Sequence, residues 1–108
     1  MKKTKQKKLK AAGWTSGTVQ DFLDLSDEEV AFIEMKLALA NTLKKRRIQR
    51  RLTQAALAKM LESSQSRVAK MEAADSTVSL DLLVRALLAL GATRREVAKV
   101  MAAPAKAA

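Results

Sequence analysis

Leu52-Thr-Gln-Ala-Ala-Leu-Ala-Lys-Met-Leu-Glu-Ser-Ser-Gln-Ser-Arg-Val-Ala-Lys-Met-Glu72 is the stretch that decides the fold. It reads as two short helices, about residues 54–61 and 65–73, separated by Glu62, Ser63 and Ser64. Helices this short, joined by three residues, cannot form a hairpin with a long seam; they suit a near-perpendicular crossing. Leu57, Ala58 and Leu61 on the first and Val68 and Met71 on the second supply the inner faces, with Ala58 small where two crossing helices approach closely. Gln65, Ser66, Arg67 and Lys70 are left on the outer face of the second helix, and Ser64 stands before it as an N-cap.

Outward from this stretch, every local signal is helical. Ser26-Asp-Glu-Glu29 forms a capping-box pattern that opens a long helix running to about Arg50, and Thr18-Val-Gln-Asp21 opens a short one through about Leu25. Ser79 caps a helix over residues 80–90, expected to be core along its length, that ends at Gly91, and Thr93-Arg-Arg-Glu96 starts a last helix through about Met101. No strand alternation or hairpin signal occurs, so the chain reads as all-α. On the long helix Val30, Phe32, Ile33, Met35, Leu37, Leu39, Ala40 and Leu43 cover most of the circumference, which calls for cover on more than one side. After Leu43 the composition changes abruptly to Lys44, Lys45, Arg46, Arg47, Arg50 and Arg51, with Ile48 as the one apolar anchor.

Composition narrows the chemistry. Lys plus Arg number 21 against 11 Asp plus Glu, giving +10 over 108 residues, with no His and no Cys. A disulfide framework, a Cys/His zinc site, a thiol nucleophile and an imidazole base are all excluded. No Gly-rich phosphate loop is present, and the adjacent Glu28 and Glu29 point apart on a helix, so an enzyme is not expected, and neither is a cofactor or a metal. The apolar stretch 30–40 contains Glu34 and Lys36 and is no membrane span, so the expected location is the cytoplasm. The basic balance points to a polyanionic partner, nucleic acid before anionic membrane. Charge is also unevenly placed: residues 1–10 carry six Lys, residues 11–35 six acids and no base, and residues 36–70 ten bases and one acid. The expected organisation is a basic, disordered tail over 1–17, an acidic helical extension over 18–35, a helical domain over 36–103 and a flexible end at 104–108. Trp14 is expected to staple onto the domain.

The central stretch resembles the Xre family of helix-turn-helix repressors, with the phage lambda repressor-like fold. Leu52, Thr53, Gln54, Leu57, Ala58, Leu61, Ser64, Gln65, Val68 and Glu72 stand where that family's L-T-Q-x-x-L-A-x-x-L-G-x-S-Q-x-x-[IV]-x-x-[IL]-E pattern places them, with Met71 as the last aliphatic. Residues 79–91 look like the family's fourth helix and its terminating Gly, so the resemblance covers about 36–92. Glu62 replaces the turn Gly, Ser63 the aliphatic residue after it, and Ala74 the Gly that follows the motif Glu. The resemblance implies a five-helix lambda repressor-like DNA-binding domain with an N-terminal helical extension.

It also implies that Gln65, Ser66 and Lys70 reach base edges in the major groove, with Arg67 at the groove edge, and that Gln54, with Thr53 and Ser64 as similar donors, contacts phosphate. Gln pairs bidentately with adenine and Lys or Arg with guanine. Lys45, Arg47, Arg50 and Arg51 are further phosphate candidates. Glu72 is expected to be structural, bonded to backbone or to an Arg. The partner is then a double-stranded DNA operator, bound by a homodimer that uses either residues 30–43 or Val97, Val100 and Met101 as its interface. The long helix ahead of the domain and residues 71–81 and 85–92 further resemble antitoxins of the HigA type. That implies a RelE/HigB-like ribonuclease toxin as partner and autorepression of the operon. Asp21, Phe22, Asp24, Glu28 and Glu29 are candidates for lying against the toxin's cationic RNA groove. The alternatives are a stand-alone or phage-type repressor without a toxin and a non-specific RNA- or membrane-surface-binding basic protein.

Overall fold

The computed structural model describes residues 23–103. The expected basic tail, the helix opened by Thr18, Trp14, Asp21, Phe22 and the C-terminal residues 104–108 lie outside them. Among the described residues there are five helices of at least seven residues and no strand: α1 (Asp27–Gln49), α2 (Gln54–Met60), α3 (Gln65–Glu72), α4 (Leu80–Ala89) and α5 (Arg94–Ala102). They fall into two units, residues 23–33 and residues 34–103, with α1 crossing the boundary. In the first unit Asp24 takes a left-handed φ of 57° and Ser26 opens α1.

Each helix starts where a short polar side chain meets its orphan amides. The Oγ of Ser26 accepts from Glu29 N (3.1 Å) while Glu29 Oε1 accepts from Ser26 N (3.0 Å), a reciprocal box. Thr53 accepts from Ala56 N, Ser64 from Arg67 N and Ser79 from Leu82 N. Thr93 and Glu96 form a second full box. Caps of this kind are worth about 1 kcal/mol each. Because they need only four consecutive residues, the helix starts follow from local sequence alone.

The second unit buries one core. Leu39, Ala40 and Leu43 of α1, Leu57 and Ala58 of α2, Val68 and Met71 of α3, Leu83, Ala86, Leu87 and Leu90 around α4, and Val97 of α5 are all buried, joined by Val78 and Ala92. α2 packs on α3 and α4 on α5. Two expectations fail. Ile48 is 55 % exposed and anchors nothing. It lies five positions past the buried Leu43, about 500° around the helix at 100° per residue, and so points away from the core. Leu88 is 42 % exposed and Ala89 is exposed as well, because α4 turns one stripe inward and these residues fall outside it. On the apolar part of α1, Phe32 and Ile33 in the first unit and Leu37 in the second are 46 %, 42 % and 53 % exposed.

The helix ends share one device. After α1, α2, α3 and α4 the chain closes with a pair of bonds running back three and five residues: Arg51 N to Ile48 O and Leu52 N to Arg47 O; Glu62 N to Lys59 O and Ser63 N to Ala58 O; Ala74 N to Met71 O and Asp75 N to Lys70 O; Gly91 N to Leu88 O and Ala92 N to Leu87 O. This is the Schellman closure, which sets the residue after the cap in the left-handed region. Only Gly91, at φ 90°, is a glycine; Arg51 (57°), Glu62 (53°) and Ala74 (53°) adopt it with a Cβ. That conformation costs a non-glycine residue about 1 kcal/mol or more.

Ala74→Gly and Glu62→Gly are therefore expected to raise stability by up to about 1 kcal/mol each, after the extra unfolded-state freedom of glycine is subtracted, or a few degrees in Tm for a domain of this size. Gly91→Ala is expected to lower it. Differential scanning calorimetry of the three variants checks both signs.

Candidate nucleic-acid interface

α3 owes its outer face to its inner one. Val68 and Met71 are buried against α2, so at 100° per residue Gln65, Ser66, Arg67 and Lys70 are turned outward, and all four are exposed. The four carry amide, hydroxyl, guanidinium and ammonium groups, between them able to address every kind of base edge in a major groove. The structure therefore brings together on one short helix the four residues expected to read bases. At its leading end Ser64 caps the helix with its oxygen and still has a hydroxyl proton to donate, as does Thr53 at the start of α2; both are exposed.

Behind α3 the basic end of α1 divides by helical phase. The stripe that carries Leu39 and Leu43 continues through Arg46, Arg47 and Arg50, and these turn toward the domain. Arg47 Nε and Nη2 donate to the Glu72 carboxylate (2.5 and 3.0 Å) and Nη1 donates to Leu52 O (2.8 Å). The two side chains are only 12 % and 4 % exposed. Hydrogen bonding to Glu72 raises the Arg47 pKa above its ordinary value. Gln54 Nε2 completes the cluster with a bond to Glu72 Oε1 (3.1 Å). No buried side-chain polar atom among the described residues lacks a partner. Arg46 Nε donates to Leu90 O and its Nη1 pairs with Glu96 (2.9 Å), while the Arg50 guanidinium lies over Gly91, its Nη2 2.7 Å from where a Cβ would stand. Two cations thus sit at the negative end of α4.

Of the residues expected to contact phosphate, Arg47 is turned inward, with each of its three nitrogens bonded inside the domain. Gln54 is half-buried and spends one amide hydrogen on Glu72, keeping the other. Arg50 is exposed although it covers Gly91. Lys45 and Arg51 are exposed. Of the acidic candidates, Asp24 and Glu28 are exposed, whereas Glu29 serves its own helix through Ser26. Sequence reading expected a partner for Glu72 and left open which one; it missed Arg46 at Leu90 and Lys36, whose Nζ donates to Asp75 O. The signal that finds them is the phase of Leu39 and Leu43, extended in both directions.

The sequence profile of the helix-turn-helix family matches residues 43–99, just over half of the chain. The chain therefore belongs to the helix-turn-helix family, the Xre, lambda repressor-like group of DNA-binding transcriptional regulators. No curated protein and no solved structure matches it significantly. Among the described residues no helix is long and apolar enough to cross a membrane, and no group of three or more acidic side chains is placed to hold a metal ion.

Removing one member of the Arg47–Glu72 pair leaves the other buried and unpaired, which typically costs about 3–5 kcal/mol. Arg47→Met and Glu72→Leu are each expected to lose stability on that scale, and the double variant to lose less than their sum; urea denaturation of the cycle measures the coupling. Three exposed carboxylates are held below their ordinary range: Glu29 by Ser26, Asp75 by Thr77, and Glu96 by the backbone of Thr93 with Arg46 second. Folded, each gives up its proton more readily than when unfolded. Their stabilisation is thus present above the unfolded carboxylate range and lost as pH falls through the folded value. Tm is expected to be level from neutral pH to about pH 5 and to fall below about pH 4.5, less steeply in Glu96→Gln, which keeps an acceptor but no titrating group.

Proposed function

We propose that the chain is a sequence-specific repressor that reads operator DNA with the outer face of α3 and serves as the antitoxin of a RelE/HigB-like ribonuclease toxin. The observation that carries the DNA half is the joint exposure of Gln65, Ser66, Arg67 and Lys70 on a helix whose opposite face is buried. Gln65, Ser66 and Lys70 contact base edges, with Arg67 at the groove edge. Thr53, Gln54, Ser64, Lys45, Arg50 and Arg51 position the domain on phosphates, which fix register but carry no sequence information. One such helix reads only a few base pairs, so operator specificity calls for two copies on half-sites about 34–36 Å apart. Such a repressor works in the compartment that holds the DNA, the cytoplasm.

Selection of binding sites from random duplex DNA tests this. Gln65→Ala and Ser66→Ala are expected to relax preference at particular bases by about 1–3 kcal/mol. Arg51→Ala and Lys45→Ala are expected to weaken all sequences alike and to flatten the log–log salt slope by about 0.9 for each phosphate lost. A basic protein bound only by charge would show the second effect without the first.

The antitoxin half rests on the resemblance of the flanking segments to HigA-type proteins and on the run of six acids in residues 11–35 without a base. Asp21, Phe22, Asp24 and Glu28 are the residues offered to the toxin; Glu29 is the weakest of the set, since it closes the Ser26 cap. Deleting residues 11–35 is expected to abolish co-purification of a RelE-like toxin encoded beside the gene. Unchanged co-purification rejects that assignment. A chain with no such neighbour is a stand-alone repressor.

A further inference from the structure

Lys36 stands on α1 seven residues before the match to the family profile begins. Its half-buried stem lies in phase with Leu39, Ala40 and Leu43, and its ammonium donates to Asp75 O at 2.8 Å, joining points 39 residues apart. Long cationic side chains bury their stems in this way while the head finds a polar partner.

Asp75 is an unusual place to attach. It follows Ala74, the left-handed residue that ends α3, and its N–H, its carbonyl and one carboxylate oxygen are all committed. Its N–H donates to Lys70 O (3.0 Å), closing the helix. Its carbonyl accepts from Val78 N (3.0 Å), leading to a buried side chain, and from Lys36. Its Oδ1 accepts from Thr77 N (2.9 Å) and Thr77 Oγ1 (2.6 Å). The hydroxyl and amide of Thr77 hold the carboxylate's pKa below its ordinary value, with Lys70 and Lys36 as further positive neighbours. Asp75 thus fixes the exit of α3 to the core through Val78 and to α1 through Lys36, and Lys70 takes part through both its carbonyl and its charge.

Resting on the DNA-reading assignment of α3, we propose that Lys36 is a positioning residue for that helix: by holding the Asp75 carbonyl it sets where α3 ends, and so how Lys70 and the segment after it meet the DNA. The part of α1 ahead of the family match then acts as a brace that acts on specificity. Ala74 makes such a brace useful, because with a Cβ at φ 53° the closure carries strain that a glycine would not.

The test uses the full chain as wild type, Lys36→Met, which keeps the stem and removes the ammonium, and Lys36→Arg, which keeps a donor. In the free protein, amide hydrogen exchange at Asp75 and Val78 is expected to rise about tenfold in Lys36→Met and to stay near wild type in Lys36→Arg. Affinity of Lys36→Met for the duplex that wild type selects is expected to fall about tenfold while affinity for a scrambled duplex at the same salt stays within about twofold. Lys36→Arg is expected to recover the ratio. If both affinities fall in proportion, Lys36 contributes stability alone and the proposal fails; unchanged exchange overturns it without reference to DNA. If wild type selects no duplex, the DNA-reading assignment itself falls, an outcome the exchange data keep apart from failure of the brace. Should Lys36→Met not fold, Lys36→Leu, which also lacks a donor, takes its place with the same expected directions.

Discussion

The Glu72 carboxylate holds three helices at one point. It ends α3, it receives a bidentate guanidinium from the last turns of α1, and it takes an amide hydrogen from the first residue of α2. A carboxylate whose side chain is 4 % exposed would be costly if left alone, and a guanidinium at 12 % hardly less so. Together, and with Leu52 O accepting from the remaining nitrogen, each nitrogen of Arg47 and both oxygens of Glu72 have a partner. An apolar core of this size tolerates small slippages of one helix over another; a forked charge pair does not, because its hydrogen bonds demand fixed distances and planes. The orientation of α3 relative to α1 and α2 therefore rests on this cluster more than on any single apolar contact.

The recognition face follows from it. α3 has eight residues, too few to be a stable helix in isolation, so its persistence depends on what lies behind it. Val68 and Met71 supply burial, Ser64 supplies the leading cap, and Glu72 supplies the trailing anchor. With both ends and one face committed, what remains is a narrow outward strip of Gln65, Ser66, Arg67 and Lys70, all four exposed. The +10 charge adds an attraction that any polyanion would feel, whereas in the proposed function the strip is what converts attraction into choice among sequences.

Departures from the family pattern are instructive in the same terms. Glu62 and Ala74 sit at two of the four Schellman closures, and the observed φ of 53° at each shows that the geometry of the turn is kept although glycine is not. The backbone path is imposed by the packing of the helices on either side, and the local cost is absorbed. A carboxylate at the turn also places a negative charge just ahead of α3, beside the positive end of that helix, where it interacts favourably with the amides and unfavourably with phosphate.

Five helix starts, the all-α class and the outward set on α3 could be read from the residues in order, because caps act over four positions and a buried stripe repeats every turn. The amino-acid sequence by itself also carried the family resemblance through the spacing of Leu52 to Glu72. It did not say which cation of the run from Lys44 to Arg51 turns inward. In order along the chain, Arg47 reads as one more phosphate candidate, Ile48 as an apolar anchor and Lys36 as an interruption of an apolar run. A long cationic side chain on an inward stripe can either reach back to water or pair inside, and nothing within a few residues of it settles the matter. Glu72 lies 25 residues from Arg47 and Asp75 lies 39 from Lys36. Only when the tertiary fold brings those acceptors within hydrogen-bond distance is the choice made, since the energy that decides it, pairing against hydration, depends on the position of a partner and not on the helix that carries the charge.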